Sequence, residues 1–293
     1  LKIAVFGKTI NRDLAPVIDH FFSKLRKQGA TLFIHDKFSD FLKQELQIDP
    51  GDHSCFTDQQ SLPQDVCFIF SLGGDGTFLE TANITGDSGI PVIEINTGRL
   101  GFLASISLEN LMESVDALFN KEYSIEQRSM IRLTIKDNSG KNQVFNALND
   151  ITVHKKDMGM ISIHVELDNE YLNSYWADGL IISTPTGSTA YSMSVGGPIL
   201  LPDTKTFIIS PVSPHNLSMR PIVIPDSKKI TLRVESRSDD FLVSMDSRSF
   251  YVSSNSEIIV DKASFTMKLV RIHGACFYQT LRNKLMWGVD KRN

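Results

Sequence analysis

The sequence predicts an α/β domain built on an open parallel sheet, followed by an all-β, sandwich-like domain. Three observations lead to this reading. Apolar, strand-like runs alternate with helix-patterned segments through the first part of the chain, the signature of β-α units. From about Lys121 onward short runs of alternating polarity dominate instead, as in antiparallel sheets with one buried face. The 293 residues are about twice a typical domain, enough for a core in each half. The expected division is residues 1–122 for the first domain, with the helix-patterned end 276–293 packing back on it, and 123–275 for the second.

In chain order, residues 2–7 (KIAVFG) read as a short buried strand ending in glycine. Residues 13–28 place Leu14, Val17, Ile18, Phe21, Phe22 and Leu25 at helical spacing. Thr31 to Ile34 is a second strand, and Phe38, Phe41, Leu42 and Leu46 mark a helix stopped by Pro50-Gly51. Residues 51–64 read as a polar connection leading into the apolar run Val66 to Leu72, a buried strand that stops at glycines. Thr77 to Ala82 is helix-compatible, Ile90 to Ile95 is a further buried strand, and a helix follows around 108–119. In the second half Ile161 to Leu167 alternates strictly, and Asp168-Asn169-Glu170 turns the chain into Tyr171 to Ala177. Lys229 to Ser236, Phe241 to Met245, Ile258 to Val260 and Thr266 to Ile272 read the same way, and Cys276 to Trp287 is helical by pattern.

Composition narrows the function classes. An apolar content of 41% and a charged content of 22% are ordinary for a soluble globular protein. A net charge of −4 without a long Lys/Arg block speaks against nucleic-acid binding. No apolar run approaches the ~18 residues of a membrane-spanning helix, and Leu1 to Phe6 lead into a strand rather than a signal peptide. Cys55, Cys67 and Cys276 form no CxxC and no even framework, so structural thiols in a reduced, cytoplasmic setting are expected.

The stretch with most chemistry is Gly73-Gly74-Asp75-Gly76-Thr77, between a strand and a helix. Gly73, Gly74 and Gly76 are expected to take positive φ and to let the backbone approach a ligand, and the helix start makes an anion site. No GxxxxGK[ST] loop is present, and Gly74-x-Gly76 lacks the third glycine of the dinucleotide fingerprint. An acid in a phosphate-cradling turn repels its ligand unless it hydrogen-bonds a hydroxyl that attacks the phosphate. Asp75 is therefore a candidate general base, and equally readable as a turn-filling or helix-capping aspartate.

Two stretches of the second half are too polar to be strand filler. Asn149-Asp150, within the strand-like FNALNDITV, either meets a ligand or satisfies local backbone at a strand end. Between Asp178 and Ser192 a strand ends in Thr-Pro-Thr-Gly-Ser-Thr, a loop of hydroxyls leading into a short helix. Such a loop suits sugar hydroxyls, amides or phosphates, and a helix capped without any ligand looks the same. His215 lies in the loop Pro214 to Pro221. No GxSxG nucleophile and no HExxH or other metal spacing occurs, so no protein metal site is expected.

Together, GGDGTFLE at 73–80, NTGRLGFL at 96–103, Asn149-Asp150, DGLIISTPTGSTAYSMSVGGP at 178–198 and SPHNLSMRPIVIP at 213–225 resemble the bacterial-type NAD kinase family in order and spacing. GGDGT alone is shared with diacylglycerol and sphingosine kinases. The other blocks carry the specificity. The resemblance implies a two-domain fold with the NAD site in the crevice between the domains, homo-oligomers such as dimers or tetramers, and transfer of the terminal phosphate of ATP to NAD. It implies that Asp75 takes the proton of the attacking ribose 2′-hydroxyl while Gly73, Gly74, Gly76 and Thr77 cradle phosphates. It places Asn149 and Asp150 against the adenosine, Asp178 near the nicotinamide, and Thr186, Thr189, Ala190, Tyr191, Ser192, Met193 and Ser194 along the dinucleotide. Phe102, His215 and Arg248 complete the implied set, and Mg2+ accompanies ATP. This chain departs from the common pattern at Asp150, where many relatives carry Glu, at Met245 to Arg248, where Asp-Gly-Gln is frequent, and at Met160 and Trp176, near positions often basic. A lipid kinase sharing only the GGDGT turn and a non-catalytic NAD sensor are the alternatives.

Overall fold

The computed structural model describes residues 1–98, 101–102, 106–137, 141–272 and 277–286. Arg99, Cys276, Trp287 and part of the stretch 96–103 lie outside the described residues. The chain divides into a unit made of residues 1–126 and 268–293 and a second made of 127–267.

The first unit opens with β1 (Lys2–Gly7), α1 (Ala15–Lys27), β2 (Thr31–His35), α2 (Asp36–Gln44) and β3 (His53–Phe56). β4 (Phe68–Gly73), α3 (Asp75–Thr85), β5 (Val92–Asn96), the short β6 (Ile106–Ser107) and α4 (Leu111–Phe119) follow. Four parallel pairings give the strand order β3-β2-β1-β4-β5. β3 falls within the stretch expected to be a bare polar connection. It is a short edge strand with its two middle residues exposed, so it carries no apolar run that a sequence pattern would reveal.

α1 forms because Pro16 pre-sets its first turn and Lys24, Arg26 and Lys27 sit in its last, where cations favour the helix dipole. Its buried residues Ile18, Phe21, Phe22 and Leu25 make one apolar stripe against the sheet. Phe21 meets Phe70 of β4 edge to face, with ring centroids 5.0 Å apart. α3 packs differently, through hydroxyls. The Thr81 hydroxyl donates to Ser71 Oγ on β4 at 2.8 Å, and Thr81 and Thr85 also donate to the helix carbonyls of Thr77 and Thr81. These buried bonds fix the helix to the strand that precedes it, and so fix its N-terminal end.

The second unit contains β7 (Tyr123–Lys136), whose first residues belong to the first unit, β8 (Asn142–Ala147), β9 (Asp150–His154), β10 (Ile161–Leu167), β11 (Glu170–Ala177) and β12 (Gly179–Ser183). Then come α5 (Tyr191–Ser194), β13 (Thr206–Val212), β14 (Ile222–Pro225), β15 (Ile230–Glu235), β16 (Asp240–Met245), β17 (Arg248–Ser253) and β18 (Glu257–Ile272). One antiparallel layer runs β11-β10-β15-β18, with β7 pairing β18 and β8. The other runs β14-β13-β12-β9-β16-β17, also antiparallel throughout. Inward residues of both, among them Ile163, Val165, Leu232, Ile182, Phe207 and Phe241, form one core, which makes the unit a β-sandwich. The chain then returns to the first unit, where Leu269 of β18 pairs in parallel with Val92 and Val270 joins that unit's core, before α6 (Phe277–Leu285).

Phe70→Ala removes a fully buried ring from the first core and its contact with Phe21. The expected loss is about 3–5 kcal/mol, read as an earlier urea midpoint for unfolding of the first unit.

Candidate functional site

Topology places the glycine-rich turn. From β1 the chain moves outward to β2 and β3, and on returning it moves the other way from β4 to β5, so β1 and β4 flank a switch point. In open α/β sheets ligands bind outside the carboxyl ends of strands at such a point. Gly7 and Leu72 are register partners there, and Gly73 and Gly74 follow directly.

The glycines do not take positive φ as expected. None of Gly73, Gly74 and Gly76 does, and Gly74 caps α3 in extended backbone at φ −105°. Gly73 is required for space, because a Cβ there would lie 2.2 Å from the Thr77 Oγ1. At Gly74 and Gly76 a Cβ would meet nothing within 4 Å among the described residues. Asp75 is itself the first residue of α3, two positions earlier than the helical pattern suggested. The N–H groups of an α-helix's first turn have no partner within the helix and favour an anion.

Asp75 is held from the loop after β5. Its Oδ2 accepts the Phe102 N–H at 3.1 Å, and its Oδ1 lies 1.6 Å from where a Cβ at Gly101 would stand. Only a glycine at 101 leaves room for the carboxylate. Thr97 N–H donates to the Gly73 carbonyl at 3.1 Å and Gly98 N–H to Asn96 Oδ1 at 2.8 Å, which ties that loop to the end of β4. Lys8 pairs with Glu80 across the same end of the sheet. Phe102 therefore contributes its backbone here, and Gly101 is a residue that sequence reasoning passed over, although it stood inside a recognised stretch.

The second cluster lies in the β-sandwich. Asn149 falls in a break between β8 and β9 rather than within a strand. Its backbone and that of its neighbours are fully engaged. The Asp246 carboxylate accepts the N–H groups of Leu148 at 2.9 Å, Asn149 at 2.8 Å and, at a longer 3.4 Å, Asp150. Thr184 accounts for the carbonyls, its Oγ1 donating to Leu148 at 2.6 Å and its N–H to Asn149 at 2.9 Å. Gly187 packs on the same peptide, where a Cβ would sit 2.0 Å from the Asn149 carbonyl oxygen. What is left over is the Asn149 side chain, whose buried Oδ1 has no hydrogen-bond partner among the described residues.

The hydroxyl-rich loop divides into support and surface. Thr186 is buried and accepts from Arg128 Nη1 at 3.3 Å. Thr189 Oγ1 donates to the Thr186 carbonyl, and Ser192 is fully buried with its Oγ 3.1 Å from Ser210 Oγ. These three hydroxyls hold the loop. Tyr191 and Ser194 are exposed and Ala190 and Met193 half-buried, so they form its outer side. Arg248 is also committed, donating from Nη2 to the Asn146 carbonyl at 2.7 Å.

Asp178 and His215 stand elsewhere. Asp178 precedes β12 while Ser183, at the far end, pairs with Asp150, so about 17 Å of strand separates the two places. Asp178 Oδ1 pairs with Lys155 Nζ at 2.6 Å. His215 is exposed and packs on Trp176 with ring centroids 4.5 Å apart, its N–H on the Trp176 carbonyl. Among the described residues no group of three or more His, Cys, Asp or Glu side chains could hold a metal ion.

Electrostatics single out Asp150. Burial, and next the nearby Asp246 carboxylate, push its carboxyl up to about 7, against a weak downward pull from Thr152. Asp246 is raised by burial too, although three backbone N–H groups and Arg248 oppose the shift. The sign of the pH dependence follows. The unfolded Asp150 ionises near the ordinary aspartate value while the folded one keeps its proton to about 7, so its contribution to stability is full below pH 4 and lost as pH rises toward 7. Asp150→Asn is expected to flatten the fall in urea stability between pH 5 and 8, with a gain at pH 8 on the order of a few kcal/mol.

Comparison with known proteins follows the same two parts. The ATP-NAD kinase N-terminal domain model matches residues 3–123 and the ATP-NAD kinase C-terminal domain model residues 148–272. The NAD kinase of Flavobacterium johnsoniae is 44% identical over 295 residues, covering all of both chains. That of Cytophaga hutchinsonii is 44% identical over 291 residues, covering 99% of each. The crystal structure of yeast NADH kinase complexed with NADH superposes with a TM-score of 0.86 at 23% identity, covering 99% of this chain and 88% of that one, and so shares the fold. Matched along its whole length, from β1 through the GGDG turn to the last strand of the sandwich, this chain belongs to the NAD kinase family.

Proposed function

We propose that this protein transfers the terminal phosphate of ATP to the 2′-hydroxyl of the adenosine ribose of NAD, yielding NADP, ADP and a proton. The observation that carries the reading is Asp75. It is an acid at the N-terminus of α3, at the carboxyl end of a switch-point strand, oriented by the Phe102 N–H and by the absence of a side chain at Gly101.

The chemistry suits an ordinary carboxylate. An aspartate is a weak base toward an alcohol, but in a loose phosphoryl-transfer transition state the nucleophile is oriented early and loses its proton late. Asp75 accepts the hydroxyl's hydrogen bond, aims the oxygen at phosphorus, and takes the proton as the P–O bond to ADP breaks. Positioning supplies most of the acceleration. The helix N-terminus and the open flank at Gly74 and Gly76 favour the phosphates.

The sandwich residues bind the dinucleotide in this reading. The Asn149 amide faces adenine, and Asp150, able to carry a proton near neutrality, faces the adenosine hydroxyls. Tyr191, Ala190, Met193 and Ser194 line the ligand, with Thr186, Thr189 and Ser192 holding them in place. Asp178 and His215, at the other end of β12, serve the nicotinamide end. Arg248 acts through the Asn146 carbonyl. Mg2+ enters with ATP on its phosphate oxygens. A homo-oligomer in the cytoplasm completes the proposal, supported by the exposed Trp176 and Leu217 and by the free thiols of Cys55 and Cys67. The lipid-kinase reading does not account for the match over 148–272, and the sensor reading leaves Asp75 at the start of α3 without a use.

Purified protein given NAD and Mg-ATP is expected to form NADP steadily, read through an NADP-specific dehydrogenase, and failure to do so refutes the proposal. Asp75→Asn should lower kcat by about 10²–10⁴ with NAD affinity within a few-fold. Gly101→Ala must push the carboxylate aside, and should cost kcat on the order of a hundredfold while calorimetry finds NAD binding kept.

A further inference from the structure

The tip of the β16–β17 hairpin is a place where this chain departs from the family pattern, and its side chains close on the segment that presents Asn149 and Asp150. Met245 pairs with Arg248, so Asp246 and Ser247 make the turn, and Asp246 adopts φ +49°, a left-handed conformation uncommon for any residue but glycine, asparagine and aspartate. From there Asp246 takes three consecutive N–H groups, 148 to 150, and its own N–H donates to the Asp150 carbonyl at 3.3 Å. Arg248 closes the near side on the Asn146 carbonyl. Thr184 holds the carbonyls of 148 and 149 from β12's end.

A break between strands would ordinarily leave its peptide groups to water or to the nearest polar side chains. Here they are all spoken for, by groups anchored in β12 and the hairpin, so the Asn149 amide has no competing backbone donor to fold onto and its Oδ1 stays unpartnered. We infer that Asp246 is a positioning residue for dinucleotide recognition, acting through the peptide of residues 148–150 to hold Asn149 and Asp150 in their binding geometry. The inference rests on the NAD kinase reading and deepens it. Its electrostatic corollary is that the Asp246 charge also raises Asp150, so the two carboxylates are linked through space as well as through the backbone.

Asp246→Asn keeps the size and the turn but replaces a doubly accepting carboxylate with a single acceptor. In steady-state assays its KM for NAD is expected to rise about tenfold or more, with the KM for ATP and kcat each within about threefold, the pattern of lost ground-state positioning rather than lost chemistry. The group titrating near neutrality in the pH profile of kcat/KM for NAD should move to lower pH, because a repelling charge has gone. Ser247→Ala, at the exposed neighbouring position, serves as the control for general disturbance of the hairpin. Amide hydrogen exchange at residues 148–150 reads the clamp without turnover and should quicken in Asp246→Asn relative to the rest of the sandwich. An unchanged KM for NAD with unchanged exchange overturns the inference while leaving the kinase reading intact. A wild-type protein that makes no NADP overturns that reading instead, and the exchange measurement still decides whether Asp246 holds the segment.

Discussion

Asp75 lies against a position where only hydrogen fits. The carboxylate needs the place that a side chain at 101 would take, and it needs the Phe102 N–H that the same loop supplies. That one contact orients the acid, and much of the first unit works to maintain it. The Thr81 to Ser71 bond fixes α3 on β4, and the Thr97 N–H on the Gly73 carbonyl fixes the loop on the turn. Charge could be supplied by many arrangements, whereas direction comes only from a rigid surround.

The β-sandwich solves a related problem with backbone rather than with a close contact. Ending β8 and starting β9 around Asn149 leaves peptide groups without ladder partners, and unpaired buried groups are costly. Asp246, Thr184 and Arg248 meet them. The cost appears as two carboxylates near each other in poor solvent, both drawn toward their neutral forms by desolvation. Burial and the neighbouring Asp246 carboxylate thus push Asp150 up to about 7.

Much of the architecture was legible in the chain. Apolar runs such as Ile3 to Phe6 and Phe68 to Leu72 can be satisfied only by burial on both faces, and Ile18, Phe21, Phe22 and Leu25 only by a helix with one buried side. The edge strand β3 was not legible, because His53 to Phe56 lack the apolar alternation that marks a strand. The strand end that the polar pair Asn149-Asp150 offered as one reading is there, between β8 and β9, but FNALNDITV carries no signal for which residues engage its peptide groups. Gly73 was recognised and misjudged in why, since there the want of a Cβ matters and left-handed backbone does not, and Gly101, which matters for the same reason, was passed over.

Composition and periodicity by themselves determined two domains of different class, and the motif residues determined the family, because burial pattern and residue type are local properties of the chain. Only the tertiary structure decided that Gly101 makes room for Asp75, that Ser192 is a strut rather than a surface, that Asp178 stands at the far end of β12 from Asp150, and that Asp246 grips the segment around Asn149. Each of these joins residues distant in sequence, through contacts that depend on strand order and register, and no local pattern encodes them.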